Sequence, residues 1–319
     1  MTHGPVNTSL ESKVPLLIDR ALLFQKVRAF FLDRRVLEVD CPALSQAAPI
    51  DLHIDVMSAY FNTTIQGYLH TSAEYGMKRL LAAKIGDIYQ MSHVFRAAEI
   101  GSKHNPEFTM VEWYRLGISF EEMIAETLDF IRLFLGPLES SSIRYRDAFL
   151  KYAQIDSATA SIANLIACAK THAIDLPQDA VLWDKDTLLQ LLMSCIIEPH
   201  LGKEELFVLS HFPSSQAALA KTEGPVAYRF EVYYQGIELA NGYHELTDPI
   251  EQQQRLIQSN EERLKVGKAP LKIDQNFLKA LEKGLPDCCG VAVGFDRLMM
   301  LRHRKDTLQS VIPFTWEEA

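Results

Sequence analysis

The sequence predicts an α+β fold, an antiparallel sheet flanked by helices, from three observations. Strand-like runs and amphipathic helical runs are mixed, without the regular strand–helix–strand alternation of a parallel sheet. Two pairs of strand-like runs read as hairpins. No internal repeat, low-complexity run or Pro/Ser-rich linker interrupts the chain.

In chain order, residues 1–13 are polar and read as a loose tail, and residues 14–319 as one domain. Leu23, Val27, Phe30 and Phe31 recur at steps of four and three, which predicts a helix over 16–34 with one apolar face. "VLEVDCPAL" (36–44) predicts a short strand stopped by Pro42. A helix over 72–85 starts near Ser72. Strands over 88–97 and 108–116 form the first hairpin around the loop 98–107. Helices follow over 119–136, 157–173 and 186–197, then a strand over 206–213 that ends at a proline. "YRFEVYYQGIELANGYHEL" (228–246) predicts a second hairpin with Gln235-Gly236 at its bend. A polar amphipathic helix over 249–267 and a shorter one within 274–286 lead to a strand, turn and helix over 289–303.

A chain of 319 residues, 48% hydrophobic, needs no disulfide or metal to build a core. Its formal net charge of −9 disfavours a generic nucleic-acid binder, which would be basic. Five cysteines without a C-x-x-C pair read as reduced thiols of a cytoplasmic protein. The N-terminus lacks the apolar core of a signal peptide, and no run is long enough to cross a membrane.

Three segments carry chemistry. "FRAAEIGSKHNPEFTMVEWYR" (95–115) puts Arg96 on a strand and His104 in the next loop, where both can hold phosphate oxygens; Phe108 offers a flat face to a base. In "GIELANGYHELTD" (236–248), Glu238 and Glu245 are paired carboxylates of the kind that hold Mg²⁺ beside a nucleotide. The same run lacks the second histidine of a zinc protease. In "GVAVGFDRLMML" (290–301), Gly290 and Gly294 allow close approach of a ligand, and Arg297 lies at a helix start, where anions bind. Alone, each segment also reads as an ordinary charged hairpin, hairpin tip or strand–helix corner.

Together the three resemble the class II aminoacyl-tRNA synthetase catalytic core. The run from Phe95 is similar to its second motif, and "GVAVGFDRLMML" to its third. "VRAFFLDRRVLEVDCPALS" (27–45) is similar to its first, which lies at a dimer interface. "TSAEYGMKRL", "HNPEFTMVEWY" and "GIELANGYHEL" carry the wording of the lysyl branch. Only a short tail precedes the first motif, so no anticodon-binding domain is expected. The chain therefore resembles the freestanding lysyl-tRNA synthetase paralogues that modify elongation factor P. "RFEVYYQGIELANGYHELTDPIEQQQRL" and "DTLLQLL" are close to that family's wording.

The resemblance implies activation of (R)-β-lysine by ATP and its transfer to a lysine of elongation factor P. It also implies a cytoplasmic homodimer that uses Mg²⁺ and does not act on tRNA. Arg96 and Arg297 would be the catalytic residues. Ala98, Glu99, His104, Asn105, Phe108, Glu238, Leu239 and Gly294 would join them in binding ATP. Ser72, Glu74, Glu112, Tyr114, Glu245 and Ala292 would bind the amino acid, and Glu238 and Glu245 would carry the metal. Lysyl-tRNA synthetases have glycine where this chain has Ala292. The second motif of the family reads Arg-Asn-Glu, whereas here Arg96-Ala97-Ala98 precedes Glu99. That leaves the adenine contact either to Glu99 or to backbone groups. The alternatives are a truncated lysyl-tRNA synthetase acting on tRNA with α-lysine, and a non-catalytic synthetase-like regulator.

Overall fold

The first helix begins earlier than its apolar pattern announces. It runs over Leu10–Asp33 (α1), so residues 10–13 belong to it and not to a tail. In the computed structural model, which describes residues 10–60 and 66–319, the chain divides into two compact units. One is built from the residues up to Ser119 with 129–136 and 247–319, the other from 120–128 and 137–246. Residues 1–9 of the expected tail lie outside the described residues.

In the first unit, the expected single strand over 36–44 is replaced by two short ones, β1 (Leu37–Glu38) and β2 (Leu44–Ser45). Pro42 lies between them and has no N–H to give a ladder. β2 joins β3 (Met57–Tyr60) and β4 (Gln66–Leu69) in a small antiparallel sheet with β4 central, which the sequence did not announce. After helix α2 (Glu74–Ala82) come β5 (Ile88–Phe95) and β6 (Glu107–Leu116), paired antiparallel as the first hairpin.

Helix α3 (Phe120–Leu135) leads into the second unit. There β7 (Ser140–Arg144), α4 (Tyr145–Ala148), α5 (Ile162–Thr171) and α6 (Lys185–Leu192) precede β8 (Leu206–Pro213), β9 (Thr222–Glu223), β10 (Val226–Tyr234) and β11 (Ile237–His244). α5 starts five residues later than its pattern suggests, because Ser161 and Asn164 close a capping box there. The long strands run in the order β11-β10-β8-β7 over a core that includes Phe149, Leu165, Leu188 and Leu209. At the second hairpin Gln235 and Gly236 both have positive φ (51° and 68°), the tight turn expected of that pair.

The first unit resumes with α7 (Pro249–Lys265), capped by Asp248, then α8 (Gln275–Glu282), β12 (Cys288–Gly294) and α9 (Phe295–Arg302). Its long strands run β1-β5-β6-β12. The sheet expected as antiparallel is mixed: β1 pairs β5 in parallel, as β7 pairs β8 in the second unit.

Strand alternation gives the first unit's sheet two different faces. On one, Tyr89, Val111, Trp113, Val291 and Val293 are buried, with Phe31 of α1 stacked on Tyr89 at 4.0 Å and edge-on to Trp113 at 5.4 Å. Full burial of Phe31 contributes about 2–3 kcal/mol. The other face carries Phe108, Glu112 and Tyr114, with Gly290, Ala292 and Gly294 directly across the ladder. No described helix is long and apolar enough to cross a membrane. All five cysteines are free.

Candidate active site

On its polar face, the first unit brings most of the expected site residues together. Arg96 follows β5 directly, and its backbone N–H donates to the Pro106 carbonyl, which closes the hairpin loop. The guanidinium lies 5.1 Å from the Phe108 ring centroid, and Glu99 comes back to 3.7 Å from it. Ala98 takes a left-handed φ of 62° to make that return, a conformation that disfavours a side chain with a Cβ. Nε of Arg96 is buried and has no hydrogen-bond partner among the described residues. Buried donors are rarely left so, and this one points to an anionic ligand.

Arg297 of α9 donates to His104 Nε2 at 2.8 Å. Burial lowers the His104 pKa, and the Arg297 charge lowers it further, so the neutral imidazole accepts the bond at neutral pH. Asn105 is occupied within the protein. Its Nδ2 donates to the Glu107 carbonyl at 2.6 Å, and its Oδ1 accepts from the Trp316 N–H. The C-terminal segment also holds this loop through Leu308 N to Ser102 O and Gln309 Nε2 to Gly101 O. A Cβ added to Gly294 would meet the Arg297 side chain at 3.7 Å, so the two are adjacent.

A second cluster sits at the start of α2. Its N-cap, Ala73, has no side chain to cap with; its own backbone N–H donates to Glu112 of β6 at 2.8 Å. The other Glu112 oxygen accepts the Ser72 hydroxyl at 2.5 Å, and Ser72 Oγ in turn accepts the Glu74 N–H. Burial pushes the Glu112 carboxyl up to about 7, against the opposing pull of those two hydrogen bonds. Ala292 faces Glu112 directly across the β6–β12 ladder, and Gly290 faces Tyr114.

Glu238, Leu239 and Glu245 belong to the second unit. In a plain strand, residues seven apart point to opposite faces. The β10–β11 register prevents this: Val232 pairs Ala240 while Tyr233 pairs Glu238, so Leu239 is an extra residue in a β-bulge. The bulge restores Glu238, Asn241 and Tyr243 to one face, opposite Tyr233, Glu231 and Arg229, and continued alternation adds Glu245. Burial follows this pattern, with Leu239 and Ala240 both buried in succession. Asn241 Oδ1 is buried there with no hydrogen-bond partner among the described residues.

The family of class II tRNA synthetases (D, K and N) matches residues 8–318. The elongation factor P–(R)-β-lysine ligase of Salmonella typhi is 46% identical over 317 residues, 97% of each chain. The proteins of the same name from Salmonella dublin and Salmonella typhimurium are 45% identical over the same span. The chain belongs to the class II tRNA synthetase family.

Among the residues of this synthetase fold that escaped the sequence reading are Glu231 and Arg20. Glu231 shares the Glu238 face, bound to Arg229 and to the Tyr233 hydroxyl at 2.5 Å. Its signal was the alternation of "RFEVYY", which aligns it with Arg229 and Tyr233. Arg20 of α1 and Asp296 of α9 form a buried ion pair. Arg20 also donates to Thr109 Oγ1 at 2.7 Å, and Asp296 accepts the Thr109 N–H at 2.7 Å. This triad joins the first helix to the strand that carries Phe108 and Glu112 and to the helix start that carries Arg297. No local pattern announces a contact across 276 residues.

Proposed function

We infer that this chain is an ATP-dependent ligase. It activates (R)-β-lysine as the adenylate and transfers the β-lysyl group to the ε-amino group of a lysine on elongation factor P. The observation that carries this reading is the similarity along 97% of both chains to ligases of that name. The substrate carboxylate attacks the α-phosphorus of ATP, and pyrophosphate leaves. The target amine then attacks the carbonyl carbon, loses a proton, and AMP leaves with the bridging oxygen.

Arg96 directs its unpaired Nε–H at the α-phosphate, where charge develops. Arg297 and His104 hold the outer phosphates, and Phe108 with Arg297 sandwiches the adenine. Gly294 and the backbone of Ala98 line the nucleotide; Glu99 orients Arg96, and Asn105 braces the loop. Ser72, Glu74, Glu112 and Tyr114 receive the amino acid, whose two ammonium groups need carboxylates in a partly dry pocket. The residues fit Mg²⁺: Glu238, Asn241 and Glu231 offer oxygen donors on one face of β11 and β10, with Glu245 further along it. No group of three or more His, Cys, Asp or Glu side chains placed to hold a metal occurs among the described residues, and Mg²⁺ on a nucleotide needs few protein ligands. When bound, it neutralises phosphate charge. The setting is the cytoplasm, and the acceptor is a protein, not tRNA.

The deciding experiment is ATP–pyrophosphate exchange with α-lysine and (R)-β-lysine side by side, followed by transfer of the labelled group. Label on elongation factor P is the expected result; label on tRNA would overturn the reading.

Two outcomes follow from the amine pocket. Glu112 titrates near 7 in the empty site, well above the unfolded carboxyl, so it is largely protonated at about pH 6 and ionised at about pH 8. Only the ionised form pairs with an ammonium, so the KM for the amino acid should fall about tenfold between those two pH values and level off above them. In the empty protein the sign reverses. Stability is highest below the unfolded value and declines as pH rises through about 7. A KM that does not change with pH, measured beside a Glu112→Gln control, would remove Glu112 from the pocket. The Ala292 methyl faces Glu112, and one carbon in a pocket shifts discrimination by roughly 1–3 kcal/mol. Ala292→Gly should therefore raise α-lysine activation relative to β-lysine, read as the ratio of kcat/KM; an unchanged ratio counts against this role.

The homodimer rests on α1. Leu10, Val14, Ile18 and Leu22 form an exposed apolar row at steps of four, 46–59% accessible, suited to packing against a second copy. Ile18→Asp with Leu22→Asp is expected to halve the mass measured by light scattering. An unchanged mass would place the interface elsewhere.

A further inference from the structure

None of the roles above uses Lys78. It is 0% exposed, one helical turn after Glu74, with Nζ 2.5 Å from Glu74 Oε1. Helical spacing explains why the two are neighbours, but not why the lysine is buried. An apolar residue would fill the same space without desolvating an ammonium, and buried pairs are often replaceable by apolar groups at no loss of stability. The location is the distinguishing feature. Glu74 keeps 14% of its side chain accessible while one of its oxygens is held by Lys78. Its backbone N–H is held by Ser72 Oγ, which also donates to Glu112. Two carboxylates are thus fixed at the start of one helix, one braced from beneath by a cation and the other by a hydroxyl and a backbone amide.

We propose that Lys78 is a positioning residue for amino-acid recognition. It clamps one oxygen of Glu74 and so fixes the direction of the carboxylate toward a substrate ammonium. This rests on the reading of Ser72, Glu74 and Glu112 as the amine pocket. Lys78 itself touches no substrate. By fixing Glu74 relative to Glu112, it sets the separation at which two positive groups on one ligand are bound.

The test uses Lys78→Met, Lys78→Arg, Glu74→Gln and the double variant Lys78→Met/Glu74→Gln in full-length protein, assayed by pyrophosphate exchange. Lys78→Met should raise the KM for (R)-β-lysine by about tenfold or more, the loss expected when a charge-assisted contact is misaligned. The KM for ATP should stay within about twofold, because that substrate is bound elsewhere on the sheet. Lys78→Arg should recover part of the loss. The double variant removes both charges of this ion pair together, which keeps the comparison available if Lys78→Met alone does not fold. Its amino-acid KM should match that of Glu74→Gln, because a residue acting through Glu74 has nothing left to position. An unchanged amino-acid KM in Lys78→Met, or an equal rise in the ATP KM, would overturn the proposal. So would a further loss when Lys78→Met is added to Glu74→Gln. If Glu74→Gln raises the KM and Lys78→Met does not, this proposal alone fails. If Glu74→Gln has no effect, the amine-pocket reading falls and takes this one with it.

Discussion

Arg96→Ala is expected to lower amino-acid-dependent ATP–pyrophosphate exchange by about 10²–10³-fold, mostly in kcat, as when one preorganised donor to a developing charge is lost. Three features set this residue apart from a surface arginine. Its Nε–H is buried and unclaimed, its guanidinium is held over Phe108, and Glu99 approaches it from the loop. If Arg96 has the role proposed for it, the donor is aimed before the nucleotide arrives, which avoids reorganisation during reaction. Arg96→Lys should recover little, because an ammonium cannot reproduce the fixed planar fork. Glu99→Ala should cost much less, since at 3.7 Å it steers the guanidinium without a short hydrogen bond. Retention of near-normal exchange by Arg96→Ala would exclude it from the chemical step.

What the sequence disclosed and what it withheld divide along a physical line. Periodicity found the buried face of α1, because Leu23, Val27, Phe30 and Phe31 are local in the chain. Hairpin chemistry found Gln235-Gly236, and the ordered motifs found the polar strand face with Phe108, Glu112 and Tyr114. Short pairings were not legible: β2, β3 and β4 are too brief for alternation to register. Nor was the bulge at Leu239, without which the odd spacing of Glu238 and Glu245 points to opposite faces. The missed residues share a cause. Glu231, Arg20 and Lys78 lie on ordinary strand and helix patterns, and only burial beside other charges distinguishes them. Asn105, assigned to the nucleotide by the resemblance, also has a bracing role no local pattern announces: Nδ2 donates to the Glu107 carbonyl and Oδ1 accepts from the C-terminal segment.

The largest stability effect is expected at Arg20. Its guanidinium is buried against Asp296, bonded to Thr109 Oγ1, and lies 4.8 Å from the Phe295 ring centroid. Removing one member of such a pair leaves a buried charge without its counter-ion, a loss of about 3–5 kcal/mol. Arg20→Met should therefore lower the urea midpoint sharply at unchanged slope. Asp296→Leu alone should be as damaging, since it strands the arginine and also the Thr109 N–H. The double variant Arg20→Met/Asp296→Leu removes both charges and should regain part of the stability, short of the cost of that one orphaned amide. Function should not return with it. Asp296 accepts the N–H of Thr109, the residue next to Phe108, and directly precedes Arg297, which donates to His104, so it is placed to set where that arginine stands. The double variant is thus expected to be folded but to have a raised KM for ATP, a separation of stability from activity that denaturation and pyrophosphate exchange together measure. If the double variant regained full ATP affinity, the pair would be serving packing alone, and the alignment of Arg297 would have to come from the other contacts of α9, chiefly Arg302 and His303 on Asp19.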